Sequence, residues 1–222
     1  MLIVGYGTLA RAIIQRVSAK TYASVDIYNR TKSVVDLDPA CNYVPPEKFH
    51  RYASVLVALP AAAYEDFFRR WAGFFPEGTC FYYCATKIMQ TEMRMYVDNK
   101  QSATPCKLAG HAEILRLMGE GAFAFENEEK RTQFERWSDG AFKTVIAKED
   151  HVLEGNRVAT EESLRALLTI EQKLQQAGVP QSLIESVNAS IPGGIAQAHK
   201  KGTHGHFAKE ILKKWQGDDH DG

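Results

Sequence analysis

The first ten residues constrain the fold more than any other part of the sequence. Four apolar residues, Met1 to Val4, run directly into a glycine turn, and a helical pattern follows at once. A strand, a glycine turn and a helix in this order are typical of phosphate-binding turns in dinucleotide-binding folds, although Gly-x-Gly alone also marks ordinary turns. Gly5 permits the tight turn, Gly7 lets the backbone approach a pyrophosphate, and the first helical amides attract the anion. We therefore expect a dinucleotide to be bound by Gly5, Tyr6, Gly7, Thr8 and Leu9.

Short apolar runs alternate with helical patterns up to about residue 150, and only helical patterns follow. This alternation predicts an α/β fold, with a Rossmann-type doubly wound parallel sheet followed by a small all-helical C-terminal domain. The expected boundaries are 1–150 for the dinucleotide-binding domain, 151–215 for the helical domain and 216–222 for a disordered tail. Strands are predicted at 24–28, 54–59, 80–84, 107–109, 121–125 and 144–147, and helices at 62–74, 91–99, 128–137 and 161–176.

The second informative segment follows the predicted strand 24–28 and reads Asn29-Arg30-Thr31-Lys32. In a dinucleotide-binding fold this position meets the adenosine ribose, where an acid would accept hydrogen bonds from a free 2′-hydroxyl and a cation would bind a 2′-phosphate. The segment contains two cations and no acid, so it predicts NADP(H) rather than NAD(H). The alternative is that Arg30 and Lys32 are solvated side chains in a turn. Ala58, Leu59 and Pro60 end the predicted strand 54–59 and are expected on the nicotinamide side of the cofactor.

Composition limits the classes of function. The 222 residues include 27 Lys and Arg against 27 Asp and Glu, and this zero net charge argues against general nucleic-acid binding. No apolar stretch approaches the length needed to span a bilayer, and glycine comes too early for a signal peptide, so we expect a cytoplasmic protein with a small-molecule substrate and no membrane partner. The four cysteines are expected to be buried free thiols. The histidines near the C-terminus lack partners at ligand spacing, so no metal site is predicted; these are His199, His204, His206 and His220.

Several motifs together resemble the pyrroline-5-carboxylate reductase family. They are GYGTLARAII at the first turn, YNRTKS after the second strand, SVLVALP at the third, GEGAFAF at 119–125, and the helical segment 177–202 with its AGVP corner. The resemblance implies an N-terminal NADPH-binding domain and a C-terminal helical domain that dimerises. It also implies hydride transfer to an imine in the cleft between the two domains.

Three departures from that family alter the expected chemistry. Residues 159–164, ATEESL, stand where the family has a Ser-Gly-Ser-Gly-Pro-Ala turn for the substrate carboxylate, and the two glutamates there would repel such a substrate. The chain also lacks the family's final Ser-Pro-Gly-Gly-Thr-Thr segment. The segment His111-Ala112-Glu113 replaces the family's Met-Pro-Asn-Thr-Pro.

Three side chains are therefore candidate catalytic residues. His111 is a candidate general acid with Glu113 as its orienting carboxylate, because reduction of an imine or carbonyl needs a proton source. Lys87, where the family commonly has glycine, is a candidate for binding an anionic substrate. Each of the three has a simpler interpretation as a solvated surface residue.

The C-terminal helices carry one apolar stripe that is too thin a layer to enclose a core alone, which predicts a homodimer; the stripe is Leu164, Leu167, Leu168, Ile170 and Leu174. Two functions remain open at this point. One is an NADPH-dependent oxidoreductase that acts on a small imine or carbonyl compound other than pyrroline-5-carboxylate. The other is a catalytically inactive dinucleotide-binding sensor or accessory protein of the same ancestry.

Overall fold

The computed structural model describes residues 1–218, and its centre is a six-stranded parallel sheet. The strands are β1 (Leu2–Val4), β2 (Val25–Tyr28), β3 (Cys41–Tyr43), β4 (Ser54–Val57), β5 (Cys80–Tyr83) and β6 (Ser102–Pro105). Their spatial order is β3-β2-β1-β4-β5-β6. β1 and β4 therefore lie side by side where the strand order reverses, which is the position at which open α/β sheets bind ligands. The predicted Rossmann-type sheet is confirmed.

The helices that follow the strands are α1 (Thr8–Thr21), α2 (Ser33–Asp36), α3 (Tyr64–Trp71), α4 (Gln90–Tyr96), α5 (Ala112–Met118) and α6 (Glu128–Trp137). Both faces of the sheet are covered, because β1 and β5 are buried along their whole length. One side of the core contains the buried face of α1, which is aliphatic, together with aromatic side chains from β5, β8 and α6. The other side contains α3 and a cluster of aromatic rings that includes Phe49 and Phe75, which stack at 4.6 Å between ring centroids.

A second, three-stranded sheet contains β7 (Lys107–Ala109), β8 (Ala122–Phe125) and β9 (Thr144–Ile146). β7 and β8 are antiparallel, whereas β8 and β9 are parallel. The expectation of parallel strands throughout is therefore wrong here, because α5, which joins β7 to β8, has only seven residues and β8 returns beside β7 in the opposite direction. The sequence patterns also missed β3 and β6, which are short and partly polar.

The last three helices are α7 (Glu149–Gln176), α8 (Gln181–Lys201) and α9 (His206–Asp218). α7 begins well before the predicted residue 161, and it ends as predicted before Gly178, which has a positive φ of 74°, and Pro180. Contacts divide the chain into two units, Met1–Arg157 and Val158–Gly222. The division thus falls inside α7, slightly beyond the predicted boundary. Of the predicted tail, residues 216–218 belong to α9, and 219–222 lie outside the described residues.

Two further sequence predictions concern the thiols and the membrane. All four cysteines are free, and Cys80, Cys84 and Cys106 are buried, as expected, whereas Cys41 is half-buried. Burial raises the pKa of the Cys106 thiol, which keeps it protonated. Across residues 1–218, no helix is long and apolar enough to cross a membrane.

Candidate functional site

The turn after β1 is built around Gly5. Its φ is +106°, a left-handed conformation that residues with a side chain rarely adopt. The Gly5 amide donates to the Tyr28 carbonyl at 2.8 Å, and a Cβ at Gly5 would stand 2.5 Å from the Ala58 carbonyl oxygen. Gly5 therefore lets the ends of β1, β2 and β4 meet without steric conflict, as the sequence predicted for the tight turn.

Gly7 differs from Gly5 because no protein contact requires glycine there. Its φ is −79°, and a Cβ placed on it would meet no protein atom within 4 Å. Gly7 is the N-cap of α1, and no side chain caps this end of the helix. The amides of Thr8 and Leu9 belong to the first turn, whose N–H groups have no intrahelical acceptor. An exposed glycine and uncapped amides at the positive end of a 14-residue helix fit a phosphate group.

Tyr6 lies between the two glycines and is held by the protein rather than left free. Its hydroxyl donates to Asp38 Oδ2 at 2.8 Å, and the other carboxylate oxygen of Asp38 accepts from the Ala40 amide. Burial and the Asp38 hydrogen bond raise the pKa of Tyr6 to about 12. The side chain of Tyr6 thus fixes the glycine turn to the segment that precedes β3.

The four residues after β2 form a short connection into α2. The Asn29 side-chain amide donates to the Thr31 carbonyl at 3.0 Å, which shapes the turn. Lys32 Nζ lies 3.6 Å from Asp36 and 5.6 Å from the centre of the Tyr43 ring, so its charge is partly engaged. Arg30 is exposed and forms no ion pair with any residue in the described range 1–218. Arg30 is therefore the cation of this segment that is best placed to receive an anion.

A cavity of about 420 Å³ connects the glycine turn with Arg30. Gly5, Leu59 and Pro60 line one part of it, and α3 lines another. Leu59 and Pro60 were expected on the nicotinamide side, and the structure places both in the same cavity as Arg30. The remaining lining residues are Val4, Tyr28, Asn29, Ala63, Asp66, Phe67, Arg70 and Trp71.

Two of these residues, Arg70 and Trp71, are not among the site residues predicted from the sequence. Both lie on α3, so that Arg70 brings a second cation and Trp71 an aromatic ring into the cavity. The acid of the lining, Asp66, accepts hydrogen bonds from Arg69 at 3.0 Å and from Arg70 at 2.9 Å, and the Arg69 bond is the main cause of its lowered pKa. Residues 64–70 read Tyr-Glu-Asp-Phe-Phe-Arg-Arg on the helix that follows β4, and the two adjacent arginines could have drawn attention to this part of the site.

Lys87 lies in the loop 84–89, which joins β5 to α4 at the carboxyl end of the parallel sheet. Its side chain is exposed. Open α/β sheets bind their ligands at this edge. Within residues 1–218, no hydrogen bond or ion pair joins Lys87 to His111 or Glu113.

His111 and Glu113 lie at the start of α5, a helix that the sequence patterns did not predict. His111 is the exposed N-cap residue, and Glu113 is in the first turn. Glu113 binds Arg116 through two hydrogen bonds, one of them 3.0 Å from Arg116 Nε to Glu113 Oε2, and this contact lowers the pKa of Glu113. No hydrogen bond joins His111 to Glu113 in the described part of the chain, so the predicted orienting contact is not formed in this conformation.

The side chain of Arg16 fastens α5 to α1. Arg16 Nε donates to the Leu115 carbonyl at 2.7 Å, and its guanidinium occupies the space beside Gly119, where a Cβ would meet it at 2.7 Å. Gly119 ends α5 with a φ of 75°. The positive φ favours glycine at this first position of the GEGAFAF motif, and the Arg16 contact holds the end of α5 against α1, the helix that follows the glycine turn.

Residues 159–164, which replace the family's substrate turn, are a continuous part of α7 and are all exposed. The C-terminal histidines form one pair, with His199 Nδ1 3.1 Å from His204 Nε2, while His206 lies 3.4 Å from Glu210. No group of three or more His, Cys, Asp or Glu side chains within residues 1–218 is arranged to hold a metal ion, and His220 lies outside the described residues.

Comparison with known proteins places this geometry in a structural context. No protein-family model matches the chain, and no curated protein matches its sequence. The structure is similar to a pyrroline-5-carboxylate reductase from Coxiella burnetii, with a TM-score of 0.68 and 12% identity over 99% of this chain and 91% of that one. A Plasmodium falciparum pyrroline carboxylate reductase with NADP bound gives a TM-score of 0.64 at 12% identity, covering 90% of this chain and 78% of that one.

An imine reductase from Streptomyces aurantiacus is also similar, with a TM-score of 0.63 and 14% identity over 92% of this chain and 79% of that one. At such low identities the comparisons establish the fold. The chain therefore has the Rossmann-type fold with a C-terminal helical region found in these reductases. The resemblance noted in the sequence is confirmed at that level.

Proposed function

We propose that this protein is an NADPH-dependent oxidoreductase that reduces a small imine or carbonyl compound other than pyrroline-5-carboxylate. The observation that carries this proposal is the cavity that runs from Gly5 to Arg30. Its lining contains Gly5, the first glycine of the turn that leads into the uncapped helix α1, and Arg30, a cation without an ion-pair partner in the described chain. The similarity of the fold to reductases, one of them with NADP bound, supports the same class of function.

The binding roles follow from the contacts of each residue. The backbone of Gly5, Tyr6, Gly7, Thr8 and Leu9 would hold the pyrophosphate of the cofactor, since Gly7 and the first amides of α1 have no protein partner there. Arg30 would bind the 2′-phosphate, with Asn29, Thr31 and Lys32 completing the segment. Lys32 contributes less than Arg30 because Asp36 already pairs with it. Ala58, Leu59 and Pro60 would form the wall of the site at the end of β4.

NADPH supplies a hydride when it is bound, and the chain must supply a proton and a place for the substrate. His111 is our candidate proton donor because it is exposed at the start of α5 and histidine is the side chain that most often serves as a general acid. Lys87 is our candidate for binding an anionic group of the substrate, since it is exposed at the carboxyl end of the sheet. Glu113 would orient His111 only after releasing Arg116.

Titration with NADPH and NADH, followed by nucleotide fluorescence, tests the cofactor. We expect NADPH to bind at least about tenfold more tightly, since Arg30 would form charged hydrogen bonds only with the phosphorylated form. Oxidation of NADPH at about 340 nm, the usual wavelength for this assay, against imines, keto acids and aldehydes then tests the chemistry. Tighter binding of NADH would contradict the assignment of Arg30.

A second candidate function is a dinucleotide-binding sensor or accessory protein without catalysis. The helical and exposed conformation of residues 159–164 favours it, because no substrate turn exists at that position. The Arg116 contact of Glu113 also leaves His111 without an orienting carboxylate. Binding of NADPH without turnover on any substrate of the panel would select this second function.

We also propose that the chain forms a homodimer through its C-terminal helices, functions in the cytoplasm, and has neither a nucleic-acid nor a membrane partner. Large apolar side chains are exposed on α7 and α8, with Leu164 at 55% and Leu168 at 65% of their full accessible area. Such surface is commonly covered by a partner. Light scattering at micromolar concentration should give the mass of two chains, and a monomer would overturn the proposal.

A further inference from the structure

Lys107, in β7, is a buried lysine for which neither the cofactor nor the substrate roles account. It is only 1% exposed. Lys107 and Glu149, the first residue of α7, are the two charged residues of the described chain that are buried. Lys107 Nζ lies 3.6 Å from Glu149 Oε2, so the two charges form an ion pair inside the first unit.

The ammonium group of Lys107 binds one loop of the backbone. Nζ donates to the Ala85 carbonyl at 2.6 Å and to the Ile88 carbonyl, and it lies 4.3 Å from the centre of the Tyr83 ring. An ammonium has three donors, and here two of them bind carbonyls of the loop 84–89. Lys107 thus ties together the two ends of the segment that contains Lys87.

Glu149 binds the residues on both sides of the same loop. Its Oε1 accepts from the Gln90 amide at 2.7 Å, where α4 begins, and its Oε2 accepts from the Tyr83 hydroxyl at 2.8 Å, where β5 ends. The buried hydroxyl of Tyr64 adds a third support, because it accepts from the amides of Cys84 and Ala85 at 3.2 and 3.1 Å. Polar groups from β7, α7 and α3 therefore converge on one short loop.

The nature of this pair indicates a role beyond filling the core. Two buried charges are a weak source of stability compared with apolar side chains of similar size, because each ion loses its hydration. An apolar pair would fill the same volume but could bind neither the two carbonyls nor the Gln90 amide. What the Lys107–Glu149 pair adds is a fixed backbone path for residues 84–90.

We propose that Lys107, together with Glu149, is a positioning residue that fixes the loop 84–89 at the substrate side of the dinucleotide site. This inference rests on the proposed function, since the loop lies at the carboxyl end of β5, beside the end of β4, and carries the candidate anion-binding residue Lys87. Lys107 itself is too deeply buried to touch a substrate.

The double variant Lys107→Met with Glu149→Gln tests the proposal, because it removes both charges while keeping the volume and the acceptor for Gln90. Hydrogen exchange measured by mass spectrometry should show that the peptide covering 84–90 exchanges at least about tenfold faster, while peptides covering β1 to β3 are unchanged. Affinity for NADPH should fall about tenfold, whereas affinity for 2′,5′-ADP, the adenosine half of the cofactor, should stay within about twofold.

The matched control is Lys100→Met with Glu77→Gln, which removes an exposed ion pair at the amino ends of β5 and β6, the opposite edge of the sheet from this loop. It should leave both the exchange of 84–90 and the two affinities unchanged. If the double variant with Met does not fold, Lys107→Gln with Glu149→Gln provides a polar neutral pair and should show the same local loss.

The results separate the two proposals. Unchanged exchange at 84–90 in a folded variant would overturn the positioning role, and so would an equal loss of affinity for NADPH and 2′,5′-ADP. A wild-type protein that binds neither nucleotide would overturn the proposed function. In that case faster exchange would still show that Lys107 anchors the loop, and the proposed link to a dinucleotide site would be rejected.

Discussion

Two regions near the carboxyl ends of the strands differ in how their polar groups are bonded. Beside β2 and β4, Arg30 has no ion-pair partner in the described chain, and it faces a cavity of about 420 Å³. Beyond β5 and β7, the polar groups are already bound within the protein, with Glu113 held by Arg116 and the loop 84–89 held by Lys107. The first region thus presents a cation without an internal partner, whereas the backbone of the second region is held by internal contacts.

This difference separates what is needed to bind a cofactor from what is needed to catalyse a reaction. Recognition of a phosphate needs only exposed cations and uncapped amides, which a short sequence segment can encode. A reaction needs a proton donor held against a substrate, and that arrangement depends on contacts between distant segments. Substitutions in each region test these two requirements separately.

The largest expected effect is on catalysis, at His111. If His111 donates the proton, His111→Ala should lower kcat by about 10²- to 10⁴-fold, the usual contribution of a general acid. Glu113→Gln should change kcat by less than about tenfold, because Glu113 is engaged by Arg116 rather than by His111. Steady-state kinetics with the best substrate of the panel measure both effects.

His50→Ala is a suitable control, since His50 is an exposed histidine whose ring bonds the Glu47 carbonyl of its own short helix. A normal kcat in His111→Ala would remove His111 from the mechanism. In that case the contrast between the two regions would become sharper, because no candidate proton donor would remain in the second one.

Gly5→Ala should produce the next largest effect, on stability. The positive φ of Gly5 and the 2.5 Å approach of an added Cβ to the Ala58 carbonyl should lower the free energy of unfolding by about 2–4 kcal/mol. Gly7→Ala is the matched variant: its stability should change by less than about 0.5 kcal/mol, and its NADPH affinity should fall at least about tenfold. Urea unfolding and fluorescence titration measure these quantities.

Equal stability of the two glycine variants would contradict the geometry of the turn. Unchanged NADPH binding in Gly7→Ala would show that the pyrophosphate does not approach this residue. The pair therefore separates a glycine that the protein requires from a glycine that only a ligand would require.

The positions of the segments that form the first region could be predicted from the sequence because their determinants are local. The turn at Gly5 and the segment 29–32 each lie at the end of one strand, so their positions follow once the alternation of strands and helices is recognised. Arg70 was missed because it reaches the cavity from α3, about forty residues later, and the pattern of that helix indicates packing. Only the spatial order of the strands brings the two segments together.

The second region was predicted poorly because its determinants are not local. No sequence pattern predicts α5, and the contact of Glu113 with Arg116 depends on that helix. In the sequence, Lys107 is one lysine in a short predicted strand. Its ion pair with Glu149 joins segments 42 residues apart, and no sequence motif encodes such a pair. The start of α7 at Glu149 was also missed, since polar residues at a helix start do not form an apolar pattern.

Arg30→Ala should have a smaller effect, confined to the choice of cofactor. NADPH binding should weaken by about 1.5–3 kcal/mol, the value of charged hydrogen bonds, while NADH binding should hardly change. Fluorescence titration of both nucleotides with the same preparation measures the difference. Equal weakening of both would show that Arg30 does not bind the 2′-phosphate, and it would remove the main contrast between the two regions.

Arg70→Ala should have the smallest effect, and it asks how far the first region extends onto α3. Arg70 lines the cavity with Arg30 but already bonds Asp66 at 2.9 Å, and its side chain is 60% exposed. Because solvent and Asp66 both screen its charge, we expect NADPH affinity to fall only about twofold to fivefold.

Arg69→Ala, which removes the other partner of Asp66 but does not line the cavity, is the matched control and should leave the affinity unchanged. A loss in Arg70→Ala as large as that in Arg30→Ala would mean that the 2′-phosphate is held jointly from β2 and α3. Cofactor choice would then depend on a contact between distant segments, as the second region does.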